Sequence, residues 1–151
     1  MLSLQEISDR MELQDLCYRY AQIIDSKDFD ALRTDVFTED AYIDYSVFGG
    51  SVGYLEETIQ FLKQAMTREV FPAHQHLNAN IQLELHGDEA NGRVMCINPQ
   101  EINLPGGGSQ VFFCGLWYVD EYLRTTQGWR IRRRVEEKSY VHNAPEFMQG
   151  L

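Results

Sequence analysis

At 151 residues, the chain is long enough for one hydrophobic core, and we expect a single domain over residues 1–151. Its formal net charge of −10 argues against a nucleic-acid partner, because phosphate binding depends on clustered lysine and arginine; the one dense basic run, at residues 130–134, is followed by two glutamates and is predicted to be a solvated strand edge. Three separated cysteines in apolar sequence, with neither a signal peptide nor an apolar run of bilayer length, predict a reduced, cytoplasmic protein with no membrane partner.

The first half of the chain is predicted to form three helices. Apolar residues at steps of three and four indicate a first helix from about residue 3 to residue 24. A second helix is predicted over residues 28–37, with Ser26 or Asp28 as its N-cap, and a third over residues 55–66. An alternating segment at residues 41–48 predicts a strand between the second and third helices.

Asp25 stands where the first two helices meet. If its side chain points into the apolar interior, the helix dipole and the loss of water both raise its pKa, and the carboxyl group can exchange a proton near neutrality. The alternative, which this stretch alone favours, is that Asp25 caps or solvates the turn between the helices.

The second half of the chain is predicted to form antiparallel strands at residues 75–85, 90–97, 111–124 and 129–135. Turns at residues 86–89 and 125–128 and a glycine-rich loop at residues 104–109 connect them. Strict alternation in the first of these strands places His76 on a polar face, opposite an apolar face that runs from Leu77 to Leu85. Helices followed by a strand meander define the α+β class. The tail, residues 143–151, either lies over the body or is disordered.

Eight tyrosines and eight phenylalanines favour an aromatic-lined pocket. A tyrosine-rich core or a dimer face explains this composition equally well.

Several segments in register resemble the SnoaL-like branch of the nuclear-transport-factor-2 superfamily, and within it scytalone dehydratase most closely. The resemblance rests on residues 25–33, 37–41, 43–45, 75–76 and 128–131. It implies a cone-shaped α+β barrel, in which three N-terminal helices pack on a strongly curved, mostly antiparallel sheet around one apolar pocket. It also implies a homo-oligomer, a dimer or a trimer, formed through the open sheet.

The resemblance implies three catalytic roles. His76 is the acid–base group beside the substrate, Asp25 fixes the tautomer of His76 and stabilises its cation, and Tyr45 orients a substrate oxygen. The neighbouring Asp44 is expected to face outward. No metal or cofactor is required for this chemistry.

Two positions depart from the dehydratase pattern. Val94 occupies the place of a second histidine on the following strand, and Ile24 replaces a tyrosine that precedes the helix aspartate. Scytalone itself is therefore not the expected substrate. Four residues are candidates for substrate binding in the remaining pocket: Tyr20, Val94, Trp117 and Tyr118.

We therefore expect a cofactor-independent lyase (dehydratase) or isomerase that acts on a small hydrophobic, oxygenated ring compound. The alternative is a non-catalytic binding or dimerisation module of the same fold. Contact between Asp25 and His76 in a closed pocket favours the enzyme, and a solvent-facing His76 favours the module.

A third possibility, an epoxide hydrolase, needs a buried Asp–Arg–Asp set. That set cannot be assembled from this sequence, because the arginines cluster in one terminal strand. The other histidines, His74, His86 and His142, are predicted to be surface or hydrogen-bonded core residues.

Overall fold

The computed structural model describes residues 1–148, so the last three residues of the predicted tail lie outside the described part. The described elements are three α-helices and seven β-strands, with short 3₁₀ turns between them. None of the helices in this part of the chain is long and apolar enough to cross a membrane.

The longest helix is α1, Leu4–Ser26. Ser3 caps its first turn through a capping box with Glu6, and Lys27 ends it in the left-handed conformation, with φ of 63°. The buried stripe of α1 includes the predicted apolar residues from Leu13 to Ile24. Helix α3, Leu55–Ala65, also follows the prediction closely.

The predicted second helix is much shorter than expected. A 3₁₀ turn, Phe29–Ala31, leads into α2, Leu32–Asp35, and strand β1, Phe37–Asp44, begins two residues later. The predicted strand at residues 41–48 is therefore shifted, because residues 46–48 form a 3₁₀ turn.

The strands form one mixed, mostly antiparallel sheet that curves without closing. Its members after β1 are β2 (Val52–Tyr54), β3 (Ala73–His74), β4 (Leu77–His86), β5 (Glu89–Asn103), β6 (Ser109–Thr125) and β7 (Gly128–His142). The order is β2-β1-β7-β6-β5-β3, with β4 also paired to β5, and the β1–β7 pair is parallel. The predicted α+β class, with helices packed on a curved sheet, is confirmed.

Strands β5, β6 and β7 are longer than predicted. The most consequential extension is in β7, which continues seven residues past the predicted end at residue 135 and so brings Glu136 into the sheet.

Strand β4 contains a bulge that changes which side chains face inward. Asn80 has a φ of 46°, and the pairing with β5 shifts register between Ala79 and Gln82. Before the bulge Leu77 is half exposed, whereas after it Ile81 is partly buried and packs against the core. The strict alternation predicted for residues 75–85 is therefore wrong, and the bulge allows both His76 and the later apolar residues to face the interior.

The described part of the tail turns back over the body. Residues Glu146–Met148 form a 3₁₀ turn, and Met148 packs against the core and lines the pocket described next.

Candidate active site

A pocket of about 320 Å³ lies between the helices and the concave face of the sheet. Its wall is mainly aromatic and aliphatic, with a few polar groups. The aromatic members are Tyr20, Tyr45, Phe48, Phe61, Phe71 and Phe112. The polar members include His76, Asn98, Gln100 and Glu136. A mostly apolar wall with a small number of polar groups is typical of small-molecule sites.

Asp25 and His76 meet at the edge of this pocket. Asp25 lies in the last turn of α1, and its Oδ1 is 2.7 Å from Nδ1 of His76. The other carboxylate oxygen, Oδ2, accepts the backbone N–H of His76 at 3.1 Å. The side chain of His76 is 6% exposed. The aspartate therefore fixes both the ring and the backbone of this histidine.

A second imidazole shares the same carboxylate. Nδ1 of His74 lies 3.2 Å from Oδ1 of Asp25, and Nε2 of His74 accepts a hydrogen bond from Nζ of Lys27 at 2.8 Å. His74 was predicted to be either a surface residue or a hydrogen-bonded core residue, and it is buried and hydrogen-bonded. Its connection to Asp25 was not expected.

The pKa of Asp25 is opposite to the sequence-based expectation. Partial burial raises the pKa, but hydrogen bonds from His74 and His76 outweigh that effect and hold it well below its usual range. Asp25 is therefore ionised near neutral pH, and the proton exchange expected if its side chain entered the apolar interior does not occur at this carboxyl group.

His76 is a neutral base in this arrangement. Burial lowers its pKa below 6.5, and the partly compensating attraction to Asp25 does not restore it. Nδ2 of Asn98 donates to Nε2 of His76 at 3.0 Å, which requires Nε2 to be unprotonated and leaves the proton on Nδ1. The lone pair of Nε2 is thus directed to the side where Asn98 and the pocket lie.

Asp25, His74 and His76 could also hold a divalent cation, because one ligand atom from each lies within 4.8 Å of the others. The surrounding hydrogen bonds fit a metal-free site better. Lys27 and Asn98 donate to the two Nε2 atoms, so each Nδ1 carries a proton for Asp25, and a metal would have to displace both protons.

Tyr45 faces the pocket, as predicted, and Asp44 is directed elsewhere, with its Oδ1 accepting the N–H of Ser46. The hydroxyls of Tyr45 and Tyr20 are 2.8 Å apart. Burial raises the pKa of Tyr20 to about 12 and that of Tyr45 well above its ordinary value, so both are neutral donors. One hydroxyl hydrogen serves their mutual bond, and when Tyr20 donates, Tyr45 can donate to a ligand.

A buried ion pair packs against Tyr20, a residue of the pocket wall. Arg134 is fully buried, donates to both oxygens of Asp120 at 2.8 and 2.7 Å, and lies between the rings of Tyr20 and Tyr118. The prediction that the whole basic run is solvated is therefore wrong for Arg134, because a bulge in β7 between Ile131 and Arg133 shifts the alternation and directs Arg134 inward. Neither Arg134 nor Asp120 lines the pocket.

Three of the four predicted substrate-binding residues lie away from the pocket. Val94 and Tyr118 are buried and paired across β5 and β6, outside the set of lining residues. Trp117 is on the outer face of the sheet, where the guanidinium of Arg93 covers its ring at 4.2 Å. Tyr20 is the one that lines the pocket.

The residue opposite Nε2 of His76 is Asn98, not Val94. The family resemblance gave Val94 the place of a second histidine on the strand after His76; β5 is longer than predicted, and it is Asn98, four residues later, that contacts the His76 ring. Glu136 was missed because the last strand was ended at residue 135. Its two-residue spacing from the inward-facing Arg134 is the signal that could have identified it.

Comparisons with known proteins give the family and the fold. A family model described as "SnoaL-like domain" matches residues 5–135. A Mycobacterium tuberculosis protein, described only as uncharacterized, is 46% identical over 140 residues, which cover 93% of this chain and 92% of that protein.

Two solved structures share the fold. A protein from Novosphingobium aromaticivorans, described as a "Putative Scytalone Dehydratase", is 18% identical, with a TM-score of 0.79 over 92% of this chain and 89% of that one. A hexachlorocyclohexane dehydrochlorinase from Novosphingobium barchaimii is 19% identical, with a TM-score of 0.75 over 95% and 94%.

Proposed function

The chain belongs to the SnoaL-like family, and from the geometry of its pocket we propose that it is a cofactor-independent lyase. The reaction is loss of water from a hydrophobic ring compound that carries a hydroxyl group β to a carbonyl. The observation that carries this proposal is the buried, neutral His76, whose Nδ1 is held by the anionic Asp25 while the ring lines an aromatic pocket. An isomerase that moves a double bond would use the same first step.

Each residue has a defined part in the proposed reaction. Nε2 of His76 removes the proton next to the carbonyl, and the negative charge of Asp25 stabilises the resulting imidazolium. Tyr45 donates a hydrogen bond to the carbonyl oxygen, where negative charge develops. Asn98 holds the ring of His76 ready before substrate displaces its contact with Nε2.

The buried position of His76 also bears on the alternative of a non-catalytic binding module. Such a module does not need a partly buried carboxylate held by two imidazoles, since removing charged and polar groups from water costs free energy unless they are paired. A pocket in which His76 faced solvent would have favoured the module.

The outer face of the sheet supports the proposal of a homo-oligomer. Exposed apolar side chains there include Leu77, Ile97, Val111, Phe113 and Tyr140. The cytoplasmic location inferred from the cysteines remains a prediction.

The test is turnover of cyclic β-hydroxy ketones by His76→Gln and Asp25→Asn. We expect His76→Gln to lower kcat by about 10²–10⁴-fold, the range for loss of a general base, and Asp25→Asn to lower it by a similar or smaller factor. His86→Gln is the matched control, because His86 is exposed on the outer part of β4. Unchanged rates in both site variants would exclude this mechanism, and ligand binding without turnover would favour the binding module.

A further inference from the structure

Glu136 contributes a carboxyl group to the pocket wall, and neither the family resemblance nor the reaction proposed above gives it a role. It follows Arg134 by two residues on β7 and therefore projects from the same inner face of the sheet. Its side chain lines the pocket together with His76. Any ring compound that fills a pocket of about 320 Å³ lies against both groups.

The surroundings of Glu136 leave its carboxyl group without a committed partner. Within residues 1–148, no hydrogen bond or ion pair to its side chain is formed. Arg134, the cation that lowers its pKa, donates to both oxygens of Asp120 through Nε and Nη2, and its Nη1 forms no hydrogen bond. The other inward-facing groups whose pKa a charge on Glu136 would raise are neutral phenols and thiols: Tyr20, Tyr45, Tyr118, Cys96 and Cys114.

These surroundings favour the protonated, neutral form of the Glu136 carboxyl group. Partial burial raises the pKa of Glu136 from 4.5 to about 8; Arg134 opposes the rise, and Asp44 adds to it. At neutral pH the pocket therefore contains a neutral imidazole, which can accept a proton, and a neutral carboxylic acid, which can donate one.

We propose that Glu136 is the general acid of this pocket and protonates the departing hydroxyl group while His76 removes the ring proton. This inference rests on the proposed lyase function. The C–H bond breaks and its proton goes to Nε2 of His76, while the electron pair forms the new double bond. The C–O bond breaks, and the hydroxyl takes the proton of Glu136 and leaves as water.

The cycle then restores itself without a co-reactant. After the reaction His76 is an imidazolium beside Asp25, and Glu136 is a carboxylate close to Arg134. Transfer of one proton from His76 to Glu136, directly or through water, returns both to their starting states. Each transient charge thus forms near an existing charge of opposite sign.

The test compares two leaving groups in Glu136→Gln. Hydroxide is a poor leaving group and needs a proton, whereas chloride leaves as a stable anion. We expect the variant to lose about 10²–10⁴-fold in kcat on a cyclic β-hydroxy ketone and to stay within several-fold of the unmodified protein on the β-chloro analogue. Equal losses on both compounds, or no loss on either, would overturn the role of Glu136.

Two controls separate this proposal from the function on which it rests. Glu137→Gln removes the neighbouring carboxylate, which faces outward and pairs with Arg93, and should leave both rates unchanged. His76→Gln should slow both compounds, because both lose a ring proton. If His76→Gln slows neither, the proposed function fails, whatever Glu136 does.

A measurement without substrate tests Glu136 directly. The ¹³C chemical shift of its side-chain carboxyl, followed against pH and assigned by its loss in Glu136→Gln, should change with a midpoint near 8. A midpoint near 4.5, the ordinary value for glutamate, would mean that the group is ionised at neutral pH and would overturn the proposal.

Discussion

Asp25 is the residue that organises the chemistry, since three N–H groups converge on one carboxylate. Two come from imidazole rings and one from the backbone of His76. Such an arrangement keeps the carboxylate ionised and limits the rotation of the ring at position 76. The same carboxylate raises the proton affinity of His76 against the opposing effect of burial. Asp25 thus sets both the orientation and the basicity of the proposed base.

This balance predicts how His76 titrates. In the unmodified protein we expect its NMR midpoint to lie below 6.5, because burial is the larger effect. In Asp25→Asn the midpoint should fall further, since the attraction that favours the imidazolium is lost. An unchanged or higher midpoint in the variant would mean that the two side chains are not coupled in solution.

At the scale of elements, the bulge in β4 decides whether His76 can reach the pocket. Without it, His76 and Leu83 would project from opposite faces of the strand, and burying one would expose the other. The extra residue at Asn80 shifts the alternation, so the segment before the bulge supplies polar groups and the segment after it supplies core residues. Asparagine tolerates a positive φ better than most residues with a side chain.

Replacement of Asn80 tests the bulge. Asn80→Val should destabilise the fold by about 1–3 kcal/mol and disturb the contact between His76 and Asp25, because a β-branched residue is strained at a φ of 46°. Asn80→Gly should be tolerated. Gln82→Val, on the same strand past the bulge, is the matched control. Urea denaturation and the His76 resonances measure both effects; equal stability of the Asn80→Val and Gln82→Val variants would show that the backbone at position 80 is unimportant.

How far the sequence predicts this structure varies from element to element. Apolar spacing was sufficient for α1 and α3, and the family resemblance singled out Asp25, which is hydrogen-bonded to His76, and Tyr45, which lines the pocket with His76. Neither the spacing nor the resemblance predicted that Asn98 contacts His76. Which side chain lies opposite His76 depends on strand lengths and on a bulge, and the periodicity of the sequence shows neither. Nor did the sequence predict that Arg134 is buried, because a basic run looks solvated until the bulge in β7 and the partner Asp120 are known.

At the scale of the whole molecule, a chain of net charge −10 keeps several of its charged groups inside. Asp9 is buried and binds Arg124 and Trp129; the hydrogen bond from Arg124, with burial opposing it, lowers its pKa to about 2. Asp9 and Asp25 therefore both contribute stability that is present above their unfolded pKa, near 3.8, and is lost as pH falls toward their folded values. Acid should unfold the protein partly through these two carboxylates.

The contribution of Glu136 to stability has the opposite pH dependence, and this dependence can be measured. Its folded pKa of about 8 lies above the ordinary 4.5, so folding favours its protonated form, and the stability that this form contributes below pH 4.5 is lost as pH rises toward 8. Glutamine keeps the shape but does not ionise. The unfolding free energy of Glu136→Gln relative to the unmodified protein should therefore rise, on the order of 2–4 kcal/mol, between pH 4.5 and 8. Urea denaturation at both pH values measures it, with Glu137→Gln as the control. A difference that does not change with pH would mean that Glu136 is already ionised in the folded protein, and its proton would not be available for the leaving group.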